Sequence, residues 1–315
     1  MPELNFHTEG KTVVSEWGST LKGKTVVITG ASEKSLGAST ATHLAHANPS
    51  TILLLARSEP KVKPVIDSIK DINPSIKSIF IPVELDYFDS VRAAAKSILE
   101  KVEKIDVLIN NAGVMAIPWA QNKNGIEKTF AINHLGHFLL TKLLMPAVLA
   151  GGGGRIVNLT SAAYKMAPVD FGDLNFSDGA TYNRFAAYGQ SKTANILFTK
   201  GLARRFEKQG VRAYAVHPGY IPGTSLVSHL PELDGAEMDR VAREKTGIEF
   251  AADEPKTQEE GVATTLVAAL SPDLEDHNGA YLSDCQVTDV REYAKGPELV
   301  ERLWKVSEEL VGETF

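Results

Sequence analysis

The chain has 315 residues, enough for one large domain or two ordinary ones with a sizeable hydrophobic core. A hydrophobic share of 43%, a charged share of 23% and a net charge of −6 are typical of a globular protein, and they argue against nucleic acid or an anionic membrane as the main partner. Cys285 is the only cysteine, which excludes an intrachain disulfide and a cysteine metal cluster and favours a reducing, cytoplasmic location.

Short apolar runs alternate with longer helical patterns along the chain. The predicted strands are 24–30, 51–57, 78–85, 105–113, 155–161, 211–219 and a short one near 281–282. The predicted helices are 37–47, 63–72, 90–102, about 125–149, 185–208 and 259–270. The strands are apolar throughout rather than alternating, as in a parallel sheet covered on both faces. The repeated β–α–β order predicts an α/β fold of Rossmann type, with a doubly wound parallel sheet and helices on both faces.

No linker divides the chain, so we expect a single domain over 24–315 that follows an N-terminal extension at 1–23. Two long connections, 162–184 and 220–257, leave the carboxyl ends of predicted strands, where ligands bind in such sheets. We therefore expect them to form the walls of a substrate pocket.

Membrane targeting is not expected. The first residues spread their charges and lack the apolar centre of a signal peptide. The longest apolar stretch, 138–150, is shorter than the roughly 20 residues of a bilayer span and contains Lys142 and Pro146. We interpret it as the buried end of a helix.

The stretch TGASEKSLG at 29–37 lies between the first predicted strand and the first predicted helix, where a dinucleotide-binding loop would be found. It keeps Gly30 and Gly37, but Ser35 stands where a middle glycine is usual. Gly30 permits the turn, Gly37 permits the helix N-terminus to approach phosphates, and Ser35 offers a hydroxyl. We interpret the stretch as a lengthened dinucleotide-binding loop.

The stretch YGQSK places Tyr188 and Lys192 four residues apart, on one face of a predicted helix. A tyrosine has a pKa of about 10 and works near neutral pH only when a nearby cation lowers it, typically by about 1–3 units. Such a pair alone is usually a solvated helix face. Three polar features strengthen the interpretation of this pair as catalytic: Ser161 at one strand end, NNAG (110–113) at another, and Asn133 inside a helix, where asparagine is unfavourable.

In this order, and with HPG at 217–219, these motifs resemble the short-chain dehydrogenase/reductase family over roughly 24–310. NHLGHFLLT, YGQSKTANILFT and the late SDCQ…LWKVSEEL are similar to its retinol-dehydrogenase-like branch, which is common in fungi. The resemblance implies hydride transfer between a nicotinamide cofactor and a ketone or secondary alcohol. It also implies a homodimer or homotetramer that packs the long helices together.

The resemblance implies a role for each catalytic residue. Tyr188 would be the general acid in carbonyl reduction and the base in alcohol oxidation. Lys192 would lower the pKa of Tyr188 and bind the nicotinamide ribose. Ser161, preferred over Thr160, would donate a hydrogen bond to the reacting carbonyl, and Asn133 would hold a water in a proton relay to Lys192.

The same resemblance implies the cofactor contacts and leaves the substrate open. Ile221 would meet the nicotinamide carboxamide, and Thr224 stands one residue later than usual. The expected cofactor-binding residues are Gly30, Ser32, Lys34, Ser35, Leu36, Gly37, Arg57, Glu84, Leu85, Asn110, Asn111, Ala112, Gly113, Tyr188, Lys192, Pro218, Gly219, Ile221 and Thr224. A pocket for a medium-sized, mostly apolar molecule is expected at Met115, Tyr164, Tyr182, Tyr220 and Leu226. No metal is expected, because His134, His137 and His217 do not form a zinc pattern.

The end of the second predicted strand indicates which dinucleotide binds. It reads LLLARS, with Arg57 and no acidic residue to accept from a ribose 2′-hydroxyl. A guanidinium instead suits the 2′-phosphate of NADP, through charge-assisted bonds worth about 1.5–3 kcal/mol each. Lys34 lies where NADP-preferring relatives often carry a base, so we predict NADP(H). Either Glu84 or Asp86 would contact adenine.

The sequence therefore predicts an NADP(H)-dependent reductase or dehydrogenase for small carbonyls or alcohols, with secondary metabolites suggested by the fungal branch. An imine reductase or a redox-neutral epimerase on the same scaffold is an alternative, distinguished by net NADPH consumption. A non-catalytic NADPH-binding sensor or scaffold is the remaining class, and it would have little need of Ser161, Asn133, Tyr188 and Lys192 together.

Overall fold

The computed structural model describes residues 3–230 and 234–315. Residues 1–2 of the expected N-terminal extension and 231–233 of the second long connection lie outside the described residues. The strands are β1 (Thr25–Thr29), β2 (Thr51–Ala56), β3 (Lys77–Pro82), β4 (Val107–Asn110), β5 (Arg155–Leu159), β6 (Arg212–His217), β7 (Tyr281–Ser283) and β8 (Gln286–Thr288). They form one sheet in the order β3-β2-β1-β4-β5-β6-β7-β8, parallel except for the antiparallel β8. The predicted doubly wound parallel sheet is confirmed.

Helices cover both faces of this sheet. They are α1 (Gly10–Trp17), α2 (Leu36–Ala45), α3 (Glu59–Ile72), α4 (Phe88–Leu99), α5 (Lys128–Phe130), α6 (Gly136–Leu149), α7 (Arg184–Phe206), α8 (Gly235–Thr246), α9 (Gln258–Leu270) and α10 (Pro297–Val311). The predicted helices correspond to α2, α3, α4, α5 with α6, α7 and α9. The sequence analysis did not predict α1, α8, α10 or β8. None of the helices in the described part of the chain is long and apolar enough to cross a bilayer.

The central strands are apolar throughout because each of their faces meets a different layer of helices. In β1, Val27 packs into a core with α4, α6, α7 and α10, whereas Val26 and Ile28 pack into a second core with α1, α2, α3 and α9. All five residues of β1 are buried. Burial on both sides places the polar ends of the strands, and the loops that follow them, at the carboxyl edge of the sheet.

The segment before β1 is part of the second core. Val13 and Trp17 of α1 are buried against α9. The contact is close, because a Cβ added to Gly10 would lie 2.7 Å from Val262 Cγ2 and 2.8 Å from His43. The expected extension therefore packs onto the sheet's helical layer, which its sequence did not indicate.

A π-helical turn, Ala131–Leu135, joins α5 to α6. Such a turn carries one residue more than a regular helical turn and often occurs at functional sites. Here it includes Asn133, and it is followed by Gly136, whose absent side chain lets α6 lie against the carbonyl oxygen of Leu85.

Candidate active site

A cavity of about 820 Å³ opens at the carboxyl edge of the sheet, between the strand ends and the two long connections. It brings together most of the residues that the sequence singled out. Those that line it are Gly30, Ser32, Ser35, Leu36, Arg57, Glu84, Leu85, Asn111, Ala112, Gly113, Met115, Ser161, Tyr188, Lys192, Pro218, Gly219, Tyr220, Ile221, Thr224 and Leu226. Those that do not line it are Lys34, Gly37, Asn110, Asn133, Tyr164 and Tyr182.

The glycine loop enters the cavity between β1 and α2. Gly30 has φ +72°, and a Cβ there would lie 2.8 Å from Ala112 Cα, so the turn requires glycine. The Ser35 hydroxyl donates to the Gly30 carbonyl at 2.7 Å and accepts from the Ala38 N–H at 3.1 Å, as the N-cap of α2. Ser35 therefore closes the loop, and its hydroxyl is already engaged rather than held out to a phosphate as expected.

Gly37 also differs from its expected role. A Cβ there would lie 2.5 Å from Asn111 Nδ2, so glycine is needed where α2 packs against the end of β4, behind the cavity wall. Thr29, which the sequence analysis did not assign, holds this junction. Its hydroxyl oxygen accepts from the N–H groups of Asn111 at 2.9 Å and Ala112 at 3.0 Å. The position of Thr29, directly before the first glycine of the loop, was the available signal.

Two asparagines support the cavity from behind rather than lining it. Asn110 is buried, and its side chain donates to Thr141 Oγ1 at 3.0 Å and Asn158 Oδ1 at 2.8 Å, so that side chain is engaged behind the cavity wall. The Asn133 side chain accepts from the Val114 N–H at 2.8 Å and donates to the Val114 carbonyl at 2.9 Å and to Ser191 Oγ at 2.9 Å. This side chain therefore fixes the residue that follows NNAG, and the water relay expected at Asn133 stays a prediction.

Tyr188 and Lys192 are both buried on α7 and reach the cavity from one helix face. Burial raises the pKa of Tyr188 to about 12, and a side-chain contact with Ser161 acts in the opposite direction. Burial also lowers the pKa of Lys192 to about 8. The expected lowering of the Tyr188 pKa by Lys192 is therefore not seen: removal of the phenol from water disfavours its anion, and the opposing contribution comes from Ser161.

The two hydroxyls at the end of β5 have different surroundings. Thr160 Oγ1 donates to the main-chain carbonyl of Lys192 at 2.7 Å and is committed to packing β5 against α7. Ser161 lines the cavity, and its oxygen accepts from the Ala163 N–H at 3.1 Å, which leaves its proton free to donate. Of the two, Ser161 has the geometry of a carbonyl-binding hydroxyl.

His217, at the end of β6, is a second residue that sequence reasoning left without a role. Its Nδ1 lies 3.2 Å from the Ala162 nitrogen and 3.4 Å from the Gly219 nitrogen, and its Nε2 lies 3.0 Å from Asp253 Oδ2. Asp253 belongs to the second long connection, and both side chains line the cavity. The described residues contain no group of three histidine, cysteine or acidic side chains arranged for a metal.

Of the five residues expected at the substrate end, Met115, Tyr220 and Leu226 line the cavity, whereas Tyr164 and Tyr182 do not. Tyr164 points away from it and packs against Tyr281 with ring centres 5.4 Å apart. The Tyr182 hydroxyl donates to the Ile117 carbonyl at 3.0 Å, which holds that ring in the cavity's outer shell. The rest of the wall is supplied by small and apolar side chains, several of them on or beside the unpredicted α8. They include Ile117, Ala162, Ala163, Val227, Met238 and Phe250.

The opposite end of the cavity carries charge. Arg57 follows β2, is exposed at the cavity edge, and has no ion-pair partner among residues 3–230 and 234–315. Lys34 is also exposed, with φ +63°, and stands in the loop without lining the cavity. Glu84 and Asp86 both line it, but Asp86 is engaged by Lys128 Nζ at 3.2 Å.

Comparison with known sequences identifies the family to which this chain is similar. Residues 24–173 and 175–233 match the family model described as short chain dehydrogenase. Over 292 residues the chain is 37% identical to retinol dehydrogenase 12 of Homo sapiens, a match that covers 93% of this chain and 87% of that protein. Retinol dehydrogenase 14 of Mus musculus is 34% identical over 302 residues, with the same two shares of 93% and 87%.

Solved structures give the same fold. A protein of uncharacterised function from Mycobacterium paratuberculosis superposes with a TM-score of 0.69 at 30% identity, covering 94% of this chain and 96% of that one. A short chain dehydrogenase from Escherichia coli CFT073, solved in complex with NADPH, gives a TM-score of 0.64 at 19% identity over 85% of this chain and 99% of that one. The second likeness concerns the fold alone.

Proposed function

The chain belongs to the short-chain dehydrogenase family, in its retinol-dehydrogenase-like branch, and we propose that it is an NADP(H)-dependent enzyme that reduces a largely apolar carbonyl compound or oxidises the matching alcohol. One observation carries the proposal: Ser161, Tyr188 and Lys192 come from two different elements and line one wall of a single cavity. Members of the family are oxidoreductases of alcohol and carbonyl groups that bind nicotinamide cofactors.

The cavity residues fit such a cofactor. Lys192 Nζ is buried and has one hydrogen-bond acceptor in the described chain, the Leu159 carbonyl at 3.1 Å, so two of its three N–H donors remain for ribose hydroxyls. Gly113 leaves the adjoining space open, because a Cβ there would lie 3.6 Å from Lys192 Nζ. The first turn of α2 faces the same cavity through Leu36. Within the described chain the N–H groups of Leu36 and Gly37 have no acceptor, which suits a pyrophosphate.

The protein's own groups supply the proton chemistry. A bound nicotinamide provides or accepts the hydride at its C4 atom. During reduction, the Ser161 and Tyr188 hydroxyls donate hydrogen bonds to the carbonyl oxygen, and the Tyr188 proton then moves to that oxygen. Its raised pKa keeps Tyr188 protonated at neutral pH, which suits an acid. The Lys192 ammonium stabilises the phenolate that remains until it is reprotonated.

The charge distribution supports NADP over NAD. Arg57 is the cavity-lining cation that follows β2, where an acid would be needed to bind a 2′-hydroxyl. Since its guanidinium is exposed and unpaired in the described chain, it can turn onto a phosphate without breaking an existing ion pair. Lys34 lies in the loop between β1 and α2, outside the cavity lining, so its contribution is the smaller of the two.

The substrate is proposed from the lining and from the relatives. The apolar side chains of Met115, Ile117, Leu226, Met238 and Phe250 surround the space beyond Ser161. Two relatives are named as retinol dehydrogenases, and retinol is a long apolar alcohol. We therefore place all-trans-retinal, decanal and 2-decanone in the first group of carbonyls to be tried.

The deciding experiment follows NADPH absorbance with these three carbonyls. The parent protein should oxidise NADPH with at least one of them, and Tyr188→Phe should slow the reaction by more than about 100-fold, since it removes the general acid. Tyr182→Phe is the matched control, because Tyr182 is partly buried but lies outside the cavity lining. NADPH fluorescence should show binding to all three proteins. Absence of turnover in the parent, or full activity in Tyr188→Phe, would contradict the proposal.

A further inference from the structure

His217 connects three separate parts of the cavity wall. Its Nδ1 faces the N–H of Ala162, the residue after Ser161, at 3.2 Å, and the N–H of Gly219 at 3.4 Å. Its Nε2 faces Asp253, in the second long connection, at 3.0 Å. His217 is buried, with 5% of its surface exposed, so its contact with Ala162 is shielded from competing water, whereas Asp253 is half-buried.

The partners of the imidazole fix which nitrogen carries its proton. A main-chain N–H can only donate, so Nδ1 must present a lone pair to Ala162 and Gly219. The ionised Asp253 carboxylate can only accept, so Nε2 must carry the hydrogen. Burial acts to raise the pKa of Asp253, but the hydrogen bond from His217 and the charges of Lys165 and Lys256 leave the pKa lowered. The site therefore selects the neutral Nε2–H tautomer.

We propose that His217 and Asp253 are a positioning pair: Asp253 orients the imidazole, and the imidazole holds the main chain of Ala162 so that the Ser161 hydroxyl meets the reacting carbonyl. This inference rests on the function proposed above. Both side chains line the cavity, but both imidazole nitrogens are already engaged by Ala162 and Asp253, which assigns the pair to positioning. A hydroxyl displaced by about 1 Å from its productive position can cost on the order of 100-fold in rate, so such a hold matters for catalysis.

The two nitrogens can be tested separately. The Oδ1 atom of His217→Asn can occupy the place of Nδ1 and still accept from Ala162, while its contact with Asp253 is lost. The Nε2 group of His217→Gln can occupy the place of the imidazole Nε2 and still donate to Asp253, while the acceptor for Ala162 is lost. His277→Gln is the matched control, because His277 is exposed and lies outside the cavity lining.

The assay uses the full chain, NADPH and whichever of the three carbonyls the parent reduces fastest. We expect His217→Gln to lose kcat by about 10–100-fold with KM changed by less than about threefold, and His217→Asn to keep kcat within about fivefold of the parent. Asp253→Asn weakens the preference for the Nε2–H tautomer. This variant should therefore reduce kcat by a larger factor than it changes KM. Equal kcat losses in the Asn and Gln variants, or losses confined to KM, would overturn the pair's role.

A second measurement does not depend on turnover. Nitrogen-15 spectra of histidine-labelled protein should show His217 neutral with its proton on Nε2, and the Ala162 amide should exchange with solvent faster in His217→Gln than in His217→Asn. A proton on Nδ1, or equal exchange in the two variants, would overturn the inference even if the enzyme is active. Failure of the proposed function would appear elsewhere, as a parent protein that oxidises no NADPH with any of the carbonyls.

Discussion

The Nζ atom of Lys192 lies 5.5 Å from the centre of the Tyr188 ring and donates to the Leu159 carbonyl rather than to the phenol oxygen. Burial moves the pKa of Tyr188 up to about 12 and the pKa of Lys192 down to about 8. On raising the pH, the ammonium therefore loses its proton well before the phenol does. This order determines how the activity should depend on pH.

Carbonyl reduction should weaken as the pH rises through about 8, where Lys192 becomes neutral. Tyr188 is still protonated at that pH, so the loss of activity reports the loss of the positive charge of Lys192, which binds the ribose and stabilises the phenolate. The measurement is kcat/KM for NADPH between about pH 6 and 10, which reflects groups of the free enzyme. Lys192→Arg keeps its charge over this range, so its residual activity should not fall near pH 8. A flat profile in the parent would show that Lys192 does not control the reaction.

Arg57→Ala should raise KM for NADPH by about 10–100-fold, which corresponds to the loss of one charge-assisted bond to a phosphate. KM for NADH should stay unchanged, because NADH has no 2′-phosphate. Lys34→Ala should have a smaller effect, since Lys34 does not line the cavity. Lys70→Ala, at an exposed position near the far end of α3, is the control. Equal use of NADH and NADPH by the parent protein would remove the basis of the prediction.

Gly37→Ala should destabilise the protein and weaken NADPH binding together. Its Cβ would lie 2.5 Å from Asn111 Nδ2 and 2.6 Å from the Gly30 carbonyl oxygen, so the glycine loop would have to move away from β4. Gly151→Ala is the control, because Gly151 is exposed, lies outside the cavity lining, and its Cβ would come no closer than 3.7 Å to its nearest neighbour, Lys104 Cδ. Thermal melting measures the stability of each variant, and NADPH fluorescence measures its cofactor binding. A Gly37→Ala protein that binds NADPH like the parent would show that the loop tolerates the shift.

Trp17→Ala should lower the free energy of unfolding by about 3 kcal/mol, the usual effect of removing a large aromatic side chain from a core. Trp17 has 8% of its surface exposed and packs with α1 onto α9. Ser15→Ala, on the exposed side of the same helix, should change the stability by less than about 0.5 kcal/mol. Urea unfolding measures both. If the two variants are equally stable, α1 contributes little to the fold.

Regular periodicity made most of the fold predictable. The strands were predictable because both of their faces are buried, which makes their sequences apolar throughout. The helix α7 carries Tyr188 and Lys192 on one face because four residues make about one helical turn. The helix α8 was missed because it lies inside a long polar connection and buries only Met238, Val241 and Ala242. Short buried stripes of this kind are hard to distinguish from a loop.

The parts of the site that escaped prediction depend on loop conformation. Ser161 was assigned because a strand end has a known location, whereas Tyr164, in the short 3₁₀ turn after it, faces Tyr281 for reasons that no local pattern encodes. The Ser35 hydroxyl finds its acceptor within its own loop. His217 and Asp253 meet across 36 positions of the chain, and only the folded path of the second connection brings them together.

The π-helical turn at Ala131–Leu135 has a consequence for insertions and deletions. Each residue of a helix advances the chain by about 100° around its axis. Deleting one residue here would regularise the helix but rotate α6 by that angle relative to Asn133. Either the hydrogen bond between Asn133 and Val114 would break, or a residue with a larger side chain than Gly136 would clash with the Leu85 carbonyl. Chain length in this turn is thus constrained together with the identity of Gly136, because the angle between Asn133 and Gly136 around the helix axis depends on it.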